Sequence, residues 1–138
     1  MLNTTHFPQC LTSWNAHGKL EAVFNNMMPE LKEERIRKLA WIDRIAFKKH
    51  TALRMQQRGI SSEEVKQALL NCKIIESYPK DYPFPSGLVV GYTKRKRAIH
   101  AVVVIEEEDK EQGMLWIITV YEPNILDWQE GFEKRRKR

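Results

Sequence analysis

The sequence predicts an α+β domain in which N-terminal helices pack on an antiparallel meander sheet of three to four strands. Two observations support this class. Apolar residues recur at helical spacing between about residues 29 and 71, whereas short β-branched and apolar runs separated by polar turns fill residues 73–121. When helices come first and strands follow, the helices cover one face of the sheet, which is the arrangement of the α+β class.

The length and composition suit a single domain. The chain has 138 residues, of which 42% are hydrophobic and 30% are charged. No apolar run approaches the ~20 residues that a membrane span needs, and the first residues lack the basic and apolar regions of a signal peptide. Two cysteines, Cys10 and Cys72, suit a reducing compartment. We therefore expect a cytoplasmic protein without membrane association.

The N-terminal third is expected to contain an irregular lead-in followed by helices. Residues 1–18 show neither helical nor strand periodicity, and residues 19–47 are predicted to form a helical extension. Within it, Pro29 and the acidic residues that follow favour the start of a helix. Continued to Gly59, this helix would reach about 30 residues, which is unusually long, so we expect a break near residues 48–51.

Two local signals place the next helices. Gly59 suits the left-handed backbone that ends a helix. Ser61 followed by Glu64 is the pattern of a capping box, in which the two side chains satisfy backbone N–H groups of the first turn. A helix is therefore predicted over residues 62–71.

The second half of the chain predicts strands joined by hairpin turns. Lys94–Arg97 and the acidic residues 106–113 are short enough to connect neighbouring strands, and a final helix is expected from about Asp127. The domain is predicted to span residues 48–133, followed by a basic tail at residues 134–138. The predicted strands are residues 73–78, 88–93, 98–105 and 115–121.

The central strands are apolar on both faces, apart from His100. Something must therefore cover the second face: the C-terminal helix, the N-terminal segment, a partner chain or a ligand. At this position His100 either makes a satisfied hydrogen bond in the core or lines the floor of a pocket. Tyr121, at the end of the last strand, either enters the same pocket or packs against a loop.

One helical segment carries a candidate site for a phosphodiester. His50, Arg54 and Arg58 are spaced i, i+4 and i+8, which spreads them over only about 80° of one helix face. Arginine matches phosphate oxygens with its planar fork, and histidine moves a proton near neutral pH. The alternative interpretation is a solvated basic face that forms ion pairs with nearby acids.

Clusters of basic residues extend this signal. The net charge is +5, residues 31–60 hold nine Lys or Arg against three acids, and the Lys94–Arg97 turn adds four. Such clusters favour a polyanion through counterion release, although a basic tail also serves solubility alone. A P-loop, a GxGxxG and a GxSxG motif are absent, and His6, Cys10 and His17 lack zinc-ligand spacing. We therefore expect no metal and no organic cofactor.

Four segments carry a resemblance to a known family: His50–Ser61, Tyr78–Gly91, Ile99–Val103 and Ile118–Pro123. Together they resemble a small prokaryotic domain family of unassigned function that is grouped with the RelE/ParE and BrnT toxins of toxin–antitoxin modules. The resemblance covers about residues 50–128 and implies a RelE-like fold and a metal-independent ribonuclease. RelE-type toxins open with a strand before their helical pair, whereas residues 29–47 here indicate helix. The residues that match the family motif are His50, Arg54, Arg58, Ser86, His100 and Tyr121.

The leading functional hypothesis is a toxin-like RNA-binding protein that cleaves RNA by attack of a ribose 2′-hydroxyl on the adjacent phosphate. His50 and His100 would transfer protons, and Tyr121 would orient or stack on a base. The side chains expected to hold the substrate are Arg54, Arg58, Ser86, Lys94 and Arg97. The expected partners are messenger or ribosome-associated RNA and an antitoxin protein. The alternative is a non-catalytic module of the same fold that binds protein or nucleic acid.

Overall fold

A computed structural model describes residues 31–107 and 113–137, where it contains three helices and five strands. The predictions for residues 1–18, for the first part of the helical extension (residues 19–30) and for the tip of the acidic hairpin lie outside these ranges. The helices are α1 (Glu33–Trp41), α2 (Lys49–Arg58) and α3 (Ser62–Leu69); the strands are β1 (Ile45–Phe47), β2 (Lys73–Tyr78), β3 (Ser86–Tyr92), β4 (Ala98–Glu106) and β5 (Met114–Tyr121).

The five strands form one sheet in the order β1-β5-β4-β3-β2. Strands β2 to β5 pair as the predicted antiparallel meander, whereas β1 pairs with β5 in parallel. The α+β class is thereby confirmed, but the sheet has one strand more than the upper predicted number. A strand of three residues is too short to show a period of two. The sequence pattern therefore did not distinguish β1 from the helical spacing of the residues around it.

The helix break lies earlier than the sequence predicts. Helix α1 ends at Trp41, and Asp43 adopts a positive φ of 62°, which turns the chain into β1. The expected break near residues 48–51 is wrong because Lys49 already begins α2. Two local predictions are confirmed: Gly59 has a φ of 68° at the end of α2, and Ser61 and Glu64 form both bonds of the capping box.

All three helices contribute to a core on one face of the sheet. Helix α1 supplies Ile36, Leu39 and Ala40, each with an exposed fraction of 0%. The predicted domain boundary between residues 47 and 48 therefore falls inside one continuous core. Strand residues from this same face complete the cluster, among them Val89, Ile99, Ala101, Val103, Leu115 and Ile117.

The C-terminal segment covers part of the second face of the sheet without forming a helix. The helix predicted from Asp127 is absent, and residues 123–137 instead fold back on themselves through a bridge between Trp128 and Arg135. Asn124 accepts hydrogen bonds from two following backbone N–H groups, and Gly131 and Phe132 both have positive φ. The hydrogen bonds to the Asn124 side chain and the two residues with positive φ both compete with the regular backbone hydrogen bonds of a helix.

No helix in residues 31–107 and 113–137 is long and apolar enough to cross a membrane.

Candidate functional site

Helix α2 lies along the edge of β5. Strand β1 pairs with β5 only as far as Ile117, and α2 then follows the same edge. The Thr51 hydroxyl donates to the carbonyl oxygen of Ile118 at 2.7 Å, and Nη1 of Arg58 donates to that of Val120 at 2.6 Å. These bonds satisfy carbonyl groups that no strand pairs on this side, so Arg58 helps to fasten α2 to the sheet.

The exposed side of α2 is basic. At about 100° per residue, the side chains follow one another around the helix from the core outwards in the order Met55, Thr51, Arg58, Arg54 and His50. Since Met55 is buried in the core and the next two side chains bond the sheet edge, Arg54 and His50 turn past that edge into solvent.

In the part of the chain that the structure describes, no acidic side chain pairs with His50 or Arg54 on this side of α2. The helix sequence contains no Asp or Glu, and within the described residues neither His50 nor Arg54 makes a hydrogen bond or an ion pair. Lys48 and Lys49 stand at the helix N-terminus, where cations oppose the helix dipole, and Nζ of Lys48 lies 5.1 Å from the centre of the Trp116 ring. The name α2 basic edge is used below for Lys48, Lys49, His50, Arg54 and Arg58.

His100 is buried on the second face of the sheet, with an exposed fraction of 0%. Its Nε2 lies 2.9 Å from the carbonyl oxygen of Phe132, which only accepts, so Nε2 carries the proton. Burial lowers the pKa of His100, which keeps the ring neutral and leaves Nδ1 to accept from the Tyr121 hydroxyl at 3.2 Å. The ring also contacts Trp128 edge to face, at 4.4 Å between centroids.

The structure does not bring the two predicted catalytic histidines together. Side chains alternate along a strand, so Ile99 and Ala101 of β4 enter the core beneath the helices while His100 points to the opposite face. His50 is exposed on α2 and is not among the residues that contact His100, which are Tyr121, Trp128 and Phe132. The mechanism that pairs the two imidazoles therefore has no support in this geometry, and His100 occupies the satisfied position that the sequence left as one alternative.

A cavity of about 270 Å³ opens at the end of β5. Tyr121 contributes one wall, but His100 does not line this cavity, so it is not the pocket shared by both residues that the sequence offered as one alternative. The other walls come from the C-terminal segment. The lining residues are Tyr121, Glu122, Pro123, Asn124, Asp127, Trp128, Arg135 and Arg136.

Arg135 lines this cavity and is held in place by Glu76 and Trp128. Its guanidinium binds Glu76 through two hydrogen bonds of 2.6 and 3.1 Å and lies 4.7 Å from the centre of the Trp128 ring. The bond to Arg135 holds the pKa of Glu76 below its ordinary value, and burial raises the pKa of Tyr121. The predicted basic tail is thus partly built into the fold.

The other predicted substrate-binding residues lie outside the cavity. Ser86 is buried and donates to the Asp81 carboxylate, while Lys94 is exposed in the β3–β4 turn. Arg97 donates to the carbonyl oxygen of Gly59 and to the carboxylates of Glu64 and Glu122. These contacts give Arg97 a structural role between the hairpin turn and the start of α3.

Sequence reasoning missed Glu76, Trp128 and Arg135. Arg135 is separated from Glu76 by 59 positions in the chain, so no spacing rule links them. A usable signal was Trp128 itself, a large aromatic residue between polar neighbours in a segment that was expected to be a surface helix.

No cluster of three His, Cys, Asp or Glu side chains that would hold a metal ion occurs within residues 31–107 and 113–137. The weak zinc candidates His6, Cys10 and His17 lie outside the described residues. Burial raises the pKa of the Cys72 thiol to about 11, so this cysteine is a packed thiol at neutral pH.

The fold and these sites define a small α+β domain with a basic helix along its sheet edge and a polar, partly aromatic cavity beside it. The chain belongs to the DUF4258 family, a domain of unknown function whose family model matches residues 47–122. The match begins at the last residue of β1 and ends just after β5. No curated protein and no solved structure matches this chain.

Proposed function

We propose that the protein binds RNA through the α2 basic edge. The observation that carries this proposal is the absence of acidic partners for His50 and Arg54 in the described part of the chain, on a helix with no acidic residue. Elsewhere in the fold, Arg35, Arg97 and Arg135 are each paired with a carboxylate. Unpaired cations on one exposed surface favour a polyanion, because binding releases its condensed counterions.

A likeness to RelE-type toxins is part of this proposal. Strand β1 precedes the α2–α3 helical pair, and the antiparallel meander follows it. RelE-type toxins likewise open with a strand before their helical pair. The departure noted in the sequence, a helix in place of the first strand, is reduced by the presence of β1. A toxin role, an antitoxin partner and a cytoplasmic location all rest on this likeness.

Replacing Arg54 tests the RNA-binding surface. For Arg54→Gln we expect about fivefold weaker binding of single-stranded RNA at low salt, and a slope of log K against log salt concentration that is smaller by about 0.7, the value for one lost phosphate contact. Fluorescence anisotropy over a salt series measures both quantities.

Lys80→Gln is the matched control. It removes the same charge from an exposed position between β2 and β3, at the edge of the sheet opposite to α2. Its affinity and salt slope should equal those of the native protein. Equal effects of both substitutions on RNA binding would contradict the α2 basic edge as the binding surface. Salt-insensitive association with a protein would instead favour the protein-binding module.

Metal-independent RNA cleavage is the second candidate, and His50 favours it. This imidazole is exposed beside Arg54, so a general base and a phosphate-binding cation share one surface. The candidate predicts products with a cyclic phosphate and a free 5′-hydroxyl in the presence of a chelator. We expect His50→Gln to lower the cleavage rate at least about 100-fold and to weaken RNA binding far less than that.

Gel analysis of end-labelled RNA distinguishes the two candidates. Intact RNA after prolonged incubation with a protein that binds it would restrict the function to binding. Growth of cells that produce the native protein or Arg54→Gln tests the toxin role, which predicts slower growth with the native protein alone.

A further inference from the structure

We propose that the cavity at the end of β5 receives one unstacked base of a single-stranded RNA whose phosphates lie on the α2 basic edge. The inference rests on the proposed function and narrows its ligand to single strands with accessible bases. It assigns a role to residues that lie beyond the α2 basic edge, above all Tyr121, Trp128 and Arg136.

The basic edge and the cavity meet at adjacent residues of β5. Arg58 bonds the carbonyl group of Val120, and the next residue, Tyr121, forms a wall of the cavity. Only one of the five N–H donors of Arg58 is used in this bond, and the side chain is exposed. A phosphate on Arg58 would therefore place its own nucleotide next to the mouth of the cavity.

The charges of the cavity suit a neutral ring better than a phosphate. Glu122 and Asp127 oppose Arg135 and Arg136 in the lining, and Arg135 is already paired with Glu76. A phosphate would meet two carboxylates at this site. A volume of about 270 Å³ is also small compared with pockets for drug-sized ligands, which begin near 300 Å³, so a single planar ring system fits better than a larger group.

The lining offers the contacts that a base uses. The Tyr121 ring is half-buried, and its hydroxyl gives its proton to His100, which leaves the oxygen free to accept. Nε of Arg136 donates to the carbonyl oxygen of Ile125, while its terminal nitrogens have no partner in the described part of the chain. Proteins recognise single-stranded RNA by such stacking and edge contacts.

Trp128 provides an independent indication of a ligand. Its exposed fraction is only 3%, yet its indole N–H makes no hydrogen bond with any residue that the structure describes. A buried donor without a partner is uncommon in folded proteins. An acceptor atom of a bound base would satisfy it.

The first test compares three labelled RNA ligands with the native protein. They are a short single strand, the same strand with abasic riboses that keep every phosphate, and the corresponding duplex. Because stacking of one base is lost, we expect the abasic strand to bind about tenfold more weakly than the intact strand, and the duplex to bind more weakly as well.

The second test locates the base. Tyr121→Leu removes the aromatic wall and should weaken binding of the intact strand about tenfold while leaving the abasic strand unchanged. Tyr92→Leu is the matched control, since Tyr92 also bonds the C-terminal segment but does not line the cavity. Photo-crosslinking of a strand containing 5-iodouridine to the native protein should label Tyr121 or Trp128. This measurement needs no variant, so it tests the proposal even if Tyr121→Leu fails to fold.

The outcomes separate this inference from the proposed function. Equal affinity of the native protein for intact and abasic strands, with the Arg54→Gln effect retained, overturns the base-binding cavity alone. Crosslinks found only outside the cavity do the same. Failure of every strand to bind overturns both proposals.

Discussion

Gly91→Ala is expected to destabilise the protein by about 3 kcal/mol or more. A Cβ atom at this position would lie 2.0 Å from the carbonyl oxygen and 2.6 Å from the carbonyl carbon of Ala68. The neighbour is the backbone of α3, so no side-chain rotation relieves the overlap, and α3 must move away from β3. In a urea titration the unfolding midpoint should fall by about 2 M.

Gly59→Ala is the control for this prediction. Gly59 has a positive φ of 68° but no atom within 4 Å of an added Cβ, so only the strained backbone contributes, at about 1 kcal/mol. Equal destabilisation by the two substitutions would show that α3 does not rest directly on β3. The comparison matters for function because α3 carries Glu64, which Arg97 joins to Glu122 at the rim of the cavity.

His100→Ala is expected to destabilise the protein by about 3 kcal/mol. The substitution leaves a cavity beside Trp128 and removes the partners of the Tyr121 hydroxyl and the Phe132 carbonyl group. His100→Gln should cost less, because an amide nitrogen at the position of Nε2 still donates to Phe132. Urea unfolding at neutral pH measures both changes.

The same histidine makes the stability depend on pH. Burial lowers the pKa of His100 in the folded state below its ordinary value of 6.5, so the unfolded chain binds the proton more readily. The contribution of the neutral ring is fully present above pH 6.5 and is lost as the pH falls through the folded-state pKa. Arg135 strengthens this effect and Glu76 opposes it.

The measurement is the free energy of unfolding between pH 7.5 and about 5. We expect it to decrease on acidification in the native protein and to decrease less in His100→Gln, which cannot titrate at this position. The same slope in both proteins would mean that His100 is not the group responsible.

Local signals in the sequence were sufficient for some elements. The capping box of Ser61 and Glu64 and the glycine at position 59 act within a single turn of helix, so they predicted the start of α3 and the end of α2. Alternating apolar residues and short turns likewise predicted the meander. Strand β1 was missed because its pairing with β5 joins residues that are far apart in the chain.

The candidate site, like the fold, was predictable from the sequence only in part. Helical spacing was enough to place His50, Arg54 and Arg58 on one side of α2. It could not show that Arg58 bonds the edge of β5, nor that residues around Trp128 fold back over His100 instead of forming a helix. Those outcomes depend on which face each element presents to its neighbours.

By itself, the sequence determined the α+β class, the meander and the shared basic side of α2, because each follows from residues within a few positions of one another. Only the tertiary structure decided that His100 is buried while His50 is exposed, that Arg135 pairs with Glu76, and that Tyr121 and Trp128 line a cavity. The physical reason is that burial and pairing of polar groups are set by contacts between distant segments, which the spacing of residues along the chain does not encode.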